Sequence, residues 1–226
     1  SLDPDDQNRM FAHIELAVYD AVRAGVPLLL TLLTADDPRQ RVAAGYALGW
    51  FGDDAAVSVP ALTVAAADPE PAVAAVALVA LGLLGTDDAA ALLAIEAALG
   101  DASDVVRWGA AVALARLRGP AAGPRVAAEL LSWSRGSSAG HDTIPYLDGD
   151  LAGLAARAVR QLGEQQADAA FDALLDRLPV VSGPPALPVV GEALRLAFPA
   201  GPLAAGTPFG ALDERQRRLL RTLAEA

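Results

Sequence analysis

The 226-residue sequence contains no cysteine and no lysine, and all 17 of its basic residues are arginine. Without thiols, the chain forms no disulfide, holds no metal through thiolates and has no cysteine nucleophile. Without lysine, it has no amine for a Schiff base and no lysine for a phosphate-binding P-loop. These absences exclude several classes of catalytic site before any motif is considered.

Aromatic residues and positive charge are also scarce. Aromatic side chains make up 5% of the residues while 54% are hydrophobic, and alanine supplies much of that apolar fraction. Such a composition favours closely packed helices, because β-sheets draw on branched and aromatic side chains. The formal net charge is −11, and an acidic surface repels phosphate backbones. We therefore expect an all-α protein without a nucleic-acid partner.

Long hydrophobic runs are absent as well. The longest apolar run, residues 72–85, is shorter than the about 20 residues that cross a bilayer, and it predicts a buried helix instead. The acidic N-terminus lacks the basic-then-apolar order of a signal peptide. These features predict a cytoplasmic protein with no membrane contact, and the alanine-rich, lysine-free composition suggests a bacterial source.

The sequence does contain an internal repeat with a period of 33 residues. Small and apolar residues recur in register in three copies, and a fixed period of this length is typical of stacked helical units. Each copy predicts two helices, of which the first begins near a proline and the second ends at a glycine. The prolines are Pro27 and Pro60, and the second helices are predicted over residues 38–51, 71–84 and 103–117. The repeated positions include Ala44, Ala77 and Ala110; Ala47, Ala80 and Ala113; and Leu48, Leu81 and Leu114.

The third copy carries a recognisable signature. Residues 106–114 read V-R-W-G-A-A-V-A-L, which is similar to the V-R-x-x-A-A-x-A-L signature of HEAT repeats in their short bacterial form, related to the phycobilisome-lyase repeats. Arg41 and Arg107 stand at the family's arginine position. The resemblance implies that these arginines pair with carboxylates or carbonyls of an adjacent repeat.

This resemblance and the period together predict the fold class and the domain organisation. We expect an all-α, right-handed α-solenoid of about five HEAT-like helix pairs, in one domain, with capping helices at both ends. The predicted parts are an N-terminal capping helix over 1–24, three regular repeats over 25–119, a fourth repeat over 120–163 interrupted by an insertion at 134–149, a degenerate fifth repeat over 164–200 and a C-terminal capping helix over 201–226.

The second helices carry apolar residues on the face opposite their buried stripe, where a solvated helix would carry charge. In HEAT proteins such helices line a concave surface that commonly binds partners, so this face predicts an apolar groove with aromatic anchors. The alternative is that the same residues pack between the stacked helices. The candidate partner-binding residues on these helices are Val42, Tyr46, Trp50, Val79, Leu83, Trp108, Val112 and Arg116.

The insertion and the histidines supply the remaining candidates. Loops on rigid scaffolds often carry recognition, so His141 and Tyr146 of the insertion join the partner-binding candidates, although an inert insertion fits equally well. His13 lacks the second histidine of the zinc-binding H-E-x-x-H pattern. Acidic pairs at helix junctions are explained by helix capping. We therefore expect no catalytic residue, no metal and no cofactor.

Three functions follow from these observations. The first is a non-enzymatic interaction or scaffold module that binds a protein or peptide on the concave face. The second, implied by the resemblance, is a chromophore or small-molecule lyase-chaperone, which needs polar groups for the propionates of a tetrapyrrole; Arg116 and Arg157 lie near the groove. The third is a helical-repeat DNA glycosylase, which the net charge and the apolar stripe disfavour.

Overall fold

The fold is built from helices alone in the residues that the computed structural model describes, which are 4–135, 143–183 and 186–225. No strand occurs in these ranges, and none of their helices combines the length and apolarity needed to cross a membrane. The α-helices are α1 (Pro4–Arg23), α2 (Val26–Leu32), α3 (Pro38–Leu48), α4 (Ala55–Ala65), α5 (Pro71–Leu84), α6 (Ala89–Ala98), α7 (Asp104–Arg118), α8 (Pro124–Ser134), α9 (Leu151–Arg160), α10 (Ala167–Arg177), α11 (Ala186–Ala197) and α12 (Glu214–Glu225).

Consecutive helices form pairs that stack into two layers. The pairs are α2–α3, α4–α5, α6–α7, α8–α9 and α10–α11. Their second members, which we call the inner helices, pack in the order α3, α5, α7, α9 and α11, while α4 packs on α6 and α8 on α10 in the outer layer. The described residues therefore form an all-helical stack of helix pairs, which confirms the all-α solenoid predicted from the resemblance and the period.

The inner helices α5 and α7 approach each other so closely that glycine is needed where they cross. A Cβ atom on Gly109 would lie 2.7 Å from the carbonyl oxygen of Ala75, and one on Gly82 would lie 2.7 Å from the Cα of Ala113. Backbones at this separation leave room for alanine and valine but not for aromatic rings. This close packing explains why the repeat is rich in small apolar residues.

Several helix boundaries follow the expected capping chemistry, although α3 ends at Leu48 and not at the predicted residue 51. The Asp37 carboxylate accepts a hydrogen bond from the Arg39 N–H (2.9 Å) at the start of α3, and Gly85 ends α5 in the left-handed region (φ 66°). The prediction that Pro60 lies in the first turn of its helix is wrong. A 3-10 turn at Gly52–Asp54 leads directly into α4, so this helix begins at Ala55 and Pro60 lies in its interior.

The repeat arginines join neighbouring units, as the resemblance implies. The Arg41 guanidinium donates to both carboxylate oxygens of Asp68, at 2.8 and 3.0 Å, and also to two backbone carbonyls before α3. Arg107 donates to the carbonyls of Asp101 and Ala102 and lies 3.5 Å from the Glu129 carboxylate. Each arginine thus connects a loop of its own unit to the unit that follows.

The two terminal helices differ in how they meet the stack. Helix α12 covers α10: Leu219 is fully buried, and Arg215 and Arg218 both lie over the ring of Phe171. These arginines also form ion pairs with acidic residues of α10.

Helix α1 forms over most of the predicted N-terminal cap, but its apolar stripe is not covered, because Ile14, Val18 and Val22 are at least half exposed. It contacts the stack at its C-terminal end, where Tyr19 packs on Phe51 and Arg23 pairs with Asp53 and Asp54.

Candidate functional site

A cavity of about 520 Å³ opens on the inner helices. Ligand-binding pockets in proteins typically have volumes of about 300–1,000 Å³. We call this cavity the concave pocket. Its wall is formed by α3 and the residues just after it, by α5, α7, α9 and α11, and by the last part of the insertion. Its lining residues are Tyr46, Trp50, Val79, Leu83, Val112, Arg116, Pro145, Tyr146, Leu147, Leu154, Arg157, Ala158, Arg160, Gln161 and Glu192.

Two rows of equivalent repeat positions supply the walls of the concave pocket. The first row is Tyr46, Val79, Val112 and Arg157, and the second row is Trp50, Leu83, Arg116 and Gln161. Members of a row are 33 residues apart in the first three units, and the insertion lengthens the last step to 45. Along each row the side chains change from aromatic to aliphatic and then to cationic or amide. The pocket is therefore amphipathic, with an aromatic end and a cationic end.

The aromatic end consists of three rings, of which Tyr46 contacts both of the others. The Tyr46 ring lies 6.1 Å from the Trp50 ring and 5.0 Å from the Tyr146 ring, with interplanar angles of 75° and 64°. Edge-to-face arrangements at these distances are favourable because the ring edge is positive and the face negative. Trp50 is 55% exposed and stands at the rim. This end offers flat apolar surface to a ligand.

Tyr146 connects the last part of the insertion to the inner helices. Its ring is buried, and its hydroxyl donates to the carbonyl of Val76 on α5 at 3.4 Å. Burial, with a smaller contribution from Tyr46, raises the pKa of the Tyr146 hydroxyl far above its ordinary value. The hydroxyl therefore stays protonated over the physiological range and serves as a hydrogen-bond donor.

The residues beside Tyr146 show that this part of the insertion is built into the core. Ile144 is fully buried, and Leu147, at the pocket wall, has a positive φ of 49°. A non-glycine residue in this region is uncommon, and such residues are often held in place near functional sites. Ile144 and Tyr146 are therefore packed into the stack, and a role of the insertion in partner contact stays a prediction. His141, the other candidate in the insertion, lies outside the described residues.

The cationic end is organised around a buried carboxylate on α11. Glu192 is 3% exposed and forms ion pairs with Arg160 at 2.8 Å, Arg195 at 2.7 Å and Arg157 at 3.9 Å. Arg116 differs from these arginines, because within the described residues its guanidinium forms no ion pair and no hydrogen bond. The pocket thus contains both neutralised and unneutralised positive charge.

Two of the predicted groove residues lie elsewhere. Trp108 is fully buried, donates its indole N–H to the Leu151 carbonyl at 3.1 Å and packs against the Trp133 ring. Val42 is also buried and is not part of the pocket wall. Val42 and Trp108 occupy equivalent repeat positions in the first turns of their inner helices. In α7, the start of α9 covers this position. For these two residues, packing inside the stack is the correct interpretation.

Several pocket residues were not predicted as site residues from the sequence. Arg157 and Gln161 occupy the row positions of Val112 and Arg116, and shifting the period by the length of the insertion would have found them. Arg160 and Glu192 belong to neither row of equivalent repeat positions, and no sequence pattern identifies them as pocket residues. The described part of the chain contains no group of three or more histidine, aspartate or glutamate side chains placed to hold a metal ion.

No protein-family model and no curated protein matches the sequence. Among solved structures, the chain is similar to the complex of CpcE and CpcF of phycocyanin lyase from Nostoc sp. PCC7120, with a TM-score of 0.47 and 18% identity, over 88% of this chain and 94% of that chain. At this identity the likeness concerns the fold alone. The sequence-based prediction that this chain is not an enzyme is contradicted by the comparison, because the similar structure is that of a lyase, and we withdraw the prediction.

Proposed function

We propose that the concave pocket binds a small molecule with a flat apolar body and an acidic group, and that the protein holds this molecule for transfer, in the manner of a chromophore lyase-chaperone. The observation that carries the proposal is the two-ended lining of the pocket, from the Tyr46–Trp50 pair to Arg116 and Arg157. Such a lining orients a ligand as well as binding it, because each end accepts a different part of the molecule.

Each end of the pocket favours one chemical group. Aromatic rings gain stacking and edge contacts with a conjugated body, and Val79, Leu83 and Val112 extend the apolar wall beyond them. Guanidinium groups bind carboxylates through parallel, charge-assisted hydrogen bonds. A molecule with only one of these two features would leave half of the pocket wall without a partner.

A linear tetrapyrrole is the first ligand to test. Its conjugated pyrrole rings form a flat apolar body and its propionates are carboxylates on flexible arms, and the sequence resemblance to phycobilisome-lyase repeats implies this ligand class. The chain contains no cysteine, so it has no thiol to which such a chromophore could be attached. The proposal therefore has the pocket hold the molecule without a covalent bond and release it to a second protein.

The test is an absorbance and visible circular dichroism titration of the full chain with biliverdin. We expect saturable binding of one biliverdin per chain and an induced dichroism band. Replacing Trp50 by alanine removes part of the aromatic end and should weaken binding by about tenfold. Phe209→Ala is the matched control, since Phe209 is a comparably exposed ring outside the pocket lining. Absence of saturable binding by the unaltered chain would refute the proposal.

A protein segment is a second candidate occupant, favoured by the exposure of Trp50 at the pocket rim. Tryptophan is enriched among the residues that dominate protein–protein binding energies. Affinity capture with the unaltered chain and with a Tyr46→Ala/Trp50→Ala variant tests this candidate, and the variant should lose a partner that enters the pocket. Trp108 is left intact in this variant, because its replacement would disturb the core.

A further inference from the structure

The three arginines that line the concave pocket are not equivalent. The Nε atom of Arg160 lies 2.8 Å from the Glu192 carboxylate, and Arg157 lies 3.9 Å from it. Glu192 is almost completely buried, whereas the side chains of Arg157 and Arg160 are 35% and 44% exposed. This single carboxylate therefore offsets part of the positive charge on α9, and it holds Arg160 more closely than Arg157.

Arg116 is available to a ligand. Its side chain is exposed, lines the same pocket and forms no ion pair or hydrogen bond with the described residues. Acidic residues outnumber basic ones by 28 to 17 in this chain, yet none of the described acidic side chains lies within ion-pair distance of this guanidinium. Leu83 and Trp50 precede it in the same row, so an apolar ligand body lying along the row would bring its acidic arm to Arg116.

We infer that Arg116 is a specificity-determining residue of the concave pocket, which binds one carboxylate of the ligand and makes the pocket selective for free acids over their esters. This inference rests on the proposed function, because it names the charge of the ligand for the same site. The guanidinium of Arg116 donates two N–H bonds to the carboxylate, whereas an ester carries no charge and offers a weaker acceptor. A hydrogen bond to a charged group supports a selectivity of about 10- to 100-fold.

The experiment is a cycle of two ligands and three proteins. Biliverdin and biliverdin dimethyl ester are titrated separately into the unaltered chain, Arg116→Gln and Arg39→Gln. Arg39 is the matched control, because its side chain is exposed and lies outside the pocket lining. Urea unfolding of all three proteins verifies that neither substitution changes the stability of the fold.

The expected result is that the unaltered chain and Arg39→Gln bind the free acid about 10- to 100-fold more tightly than the ester. In Arg116→Gln this preference should disappear, with the ester bound as well as before. Equal preference for the acid in the unaltered chain and Arg116→Gln would overturn the inference while leaving the proposed function intact. Failure of both ligands to bind the unaltered chain would overturn the inference together with the proposed function.

Discussion

The two halves of the helical stack differ in what their helices bury. In residues 26–118, the regular half, inner helices pack through alanine, valine and glycine, and α5 is buried continuously from Val73 to Gly82. Ion pairs such as Arg41–Asp68 join neighbouring units there as well, but no carboxylate of this half is buried. In residues 124–225, the irregular half, two carboxylates are buried and form ion pairs, Asp150 with Arg177 at 2.5 Å and Glu192 with Arg160 at 2.8 Å.

This difference explains why the period is strict in one half and degenerate in the other. Close backbone contact, as at Gly109 and Ala75, accepts few residue types, so each copy must repeat the same small side chains. Ion pairs between long side chains tolerate changes in spacing, so the irregular half accommodates an insertion. The concave pocket lies where the halves meet: Tyr46 and Trp50 of its aromatic end come from the first half, and Tyr146 and most of its cationic end come from the second.

The largest expected effect comes from breaking the contact between the two halves at Trp108. Trp108→Ala removes a fully buried indole and its hydrogen bond to Leu151, so it should lower the free energy of unfolding by about 3–5 kcal/mol. Trp50→Ala removes an indole that is half exposed and should change this free energy by about 0.5 kcal/mol or less. Urea unfolding measures both, and equal effects would contradict the placement of the two residues.

The ion pairs of the irregular half are tested next through Arg177. Arg177→Ala leaves the buried Asp150 carboxylate without its partner, so the free energy of unfolding should fall toward the lower end of about 3–5 kcal/mol. The control is Arg118→Gln, which breaks an exposed pair with Glu96 and should cost about 0–1 kcal/mol. If thermal and urea unfolding show that Arg177→Ala and Arg118→Gln lower the free energy of unfolding by the same amount, the buried Asp150–Arg177 pair does not stabilise the irregular half.

The close helix contact of the regular half is tested by a pair of glycine substitutions. Gly109→Ala places a Cβ atom against the Ala75 backbone, and overpacking of this kind should lower the free energy of unfolding by about 1–3 kcal/mol. Gly191→Ala, inside α11, meets no atom within 4 Å and should raise it by up to about 1 kcal/mol through helix propensity. Because the two free-energy changes are expected to have opposite signs, the comparison separates the cost of overpacking from the effect of helix propensity. A higher free energy of unfolding in both variants would contradict the close contact between Gly109 and Ala75.

The smallest expected effect is a pH dependence carried by Tyr146, which links the irregular half to α5. Its pKa is raised by burial in the folded state, so the folded protein holds this proton more tightly than the unfolded chain does. The stabilisation is complete below about pH 10, the ordinary pKa of tyrosine, and is lost as the pH rises above it, by up to about 1.4 kcal/mol per pH unit. Urea unfolding at alkaline pH should therefore show a steeper decline for the unaltered chain than for Tyr146→Phe, and parallel declines would argue against a buried hydroxyl.

The fold could be predicted well from the sequence because small apolar residues recur at equivalent positions of the repeat, and close helix packing explains this pattern. The pocket was predicted less well, for two physical reasons. Apolar residues on an inner helix do not show by themselves which of them meet solvent, so Val42 of α3 and Trp108 of α7 were assigned to the groove although they are buried. Glu192 was missed because α11 no longer follows the repeat pattern, and its role depends on arginines that are distant in the sequence.

A crystal structure of the full chain in complex with biliverdin would test the central claim most directly. The account predicts one biliverdin in the concave pocket, with pyrrole rings against Tyr46 and Trp50 and a propionate bound by Arg116. Biliverdin seated on another surface, or seated in the pocket with its propionates turned away from all three arginines of the wall, would contradict the account.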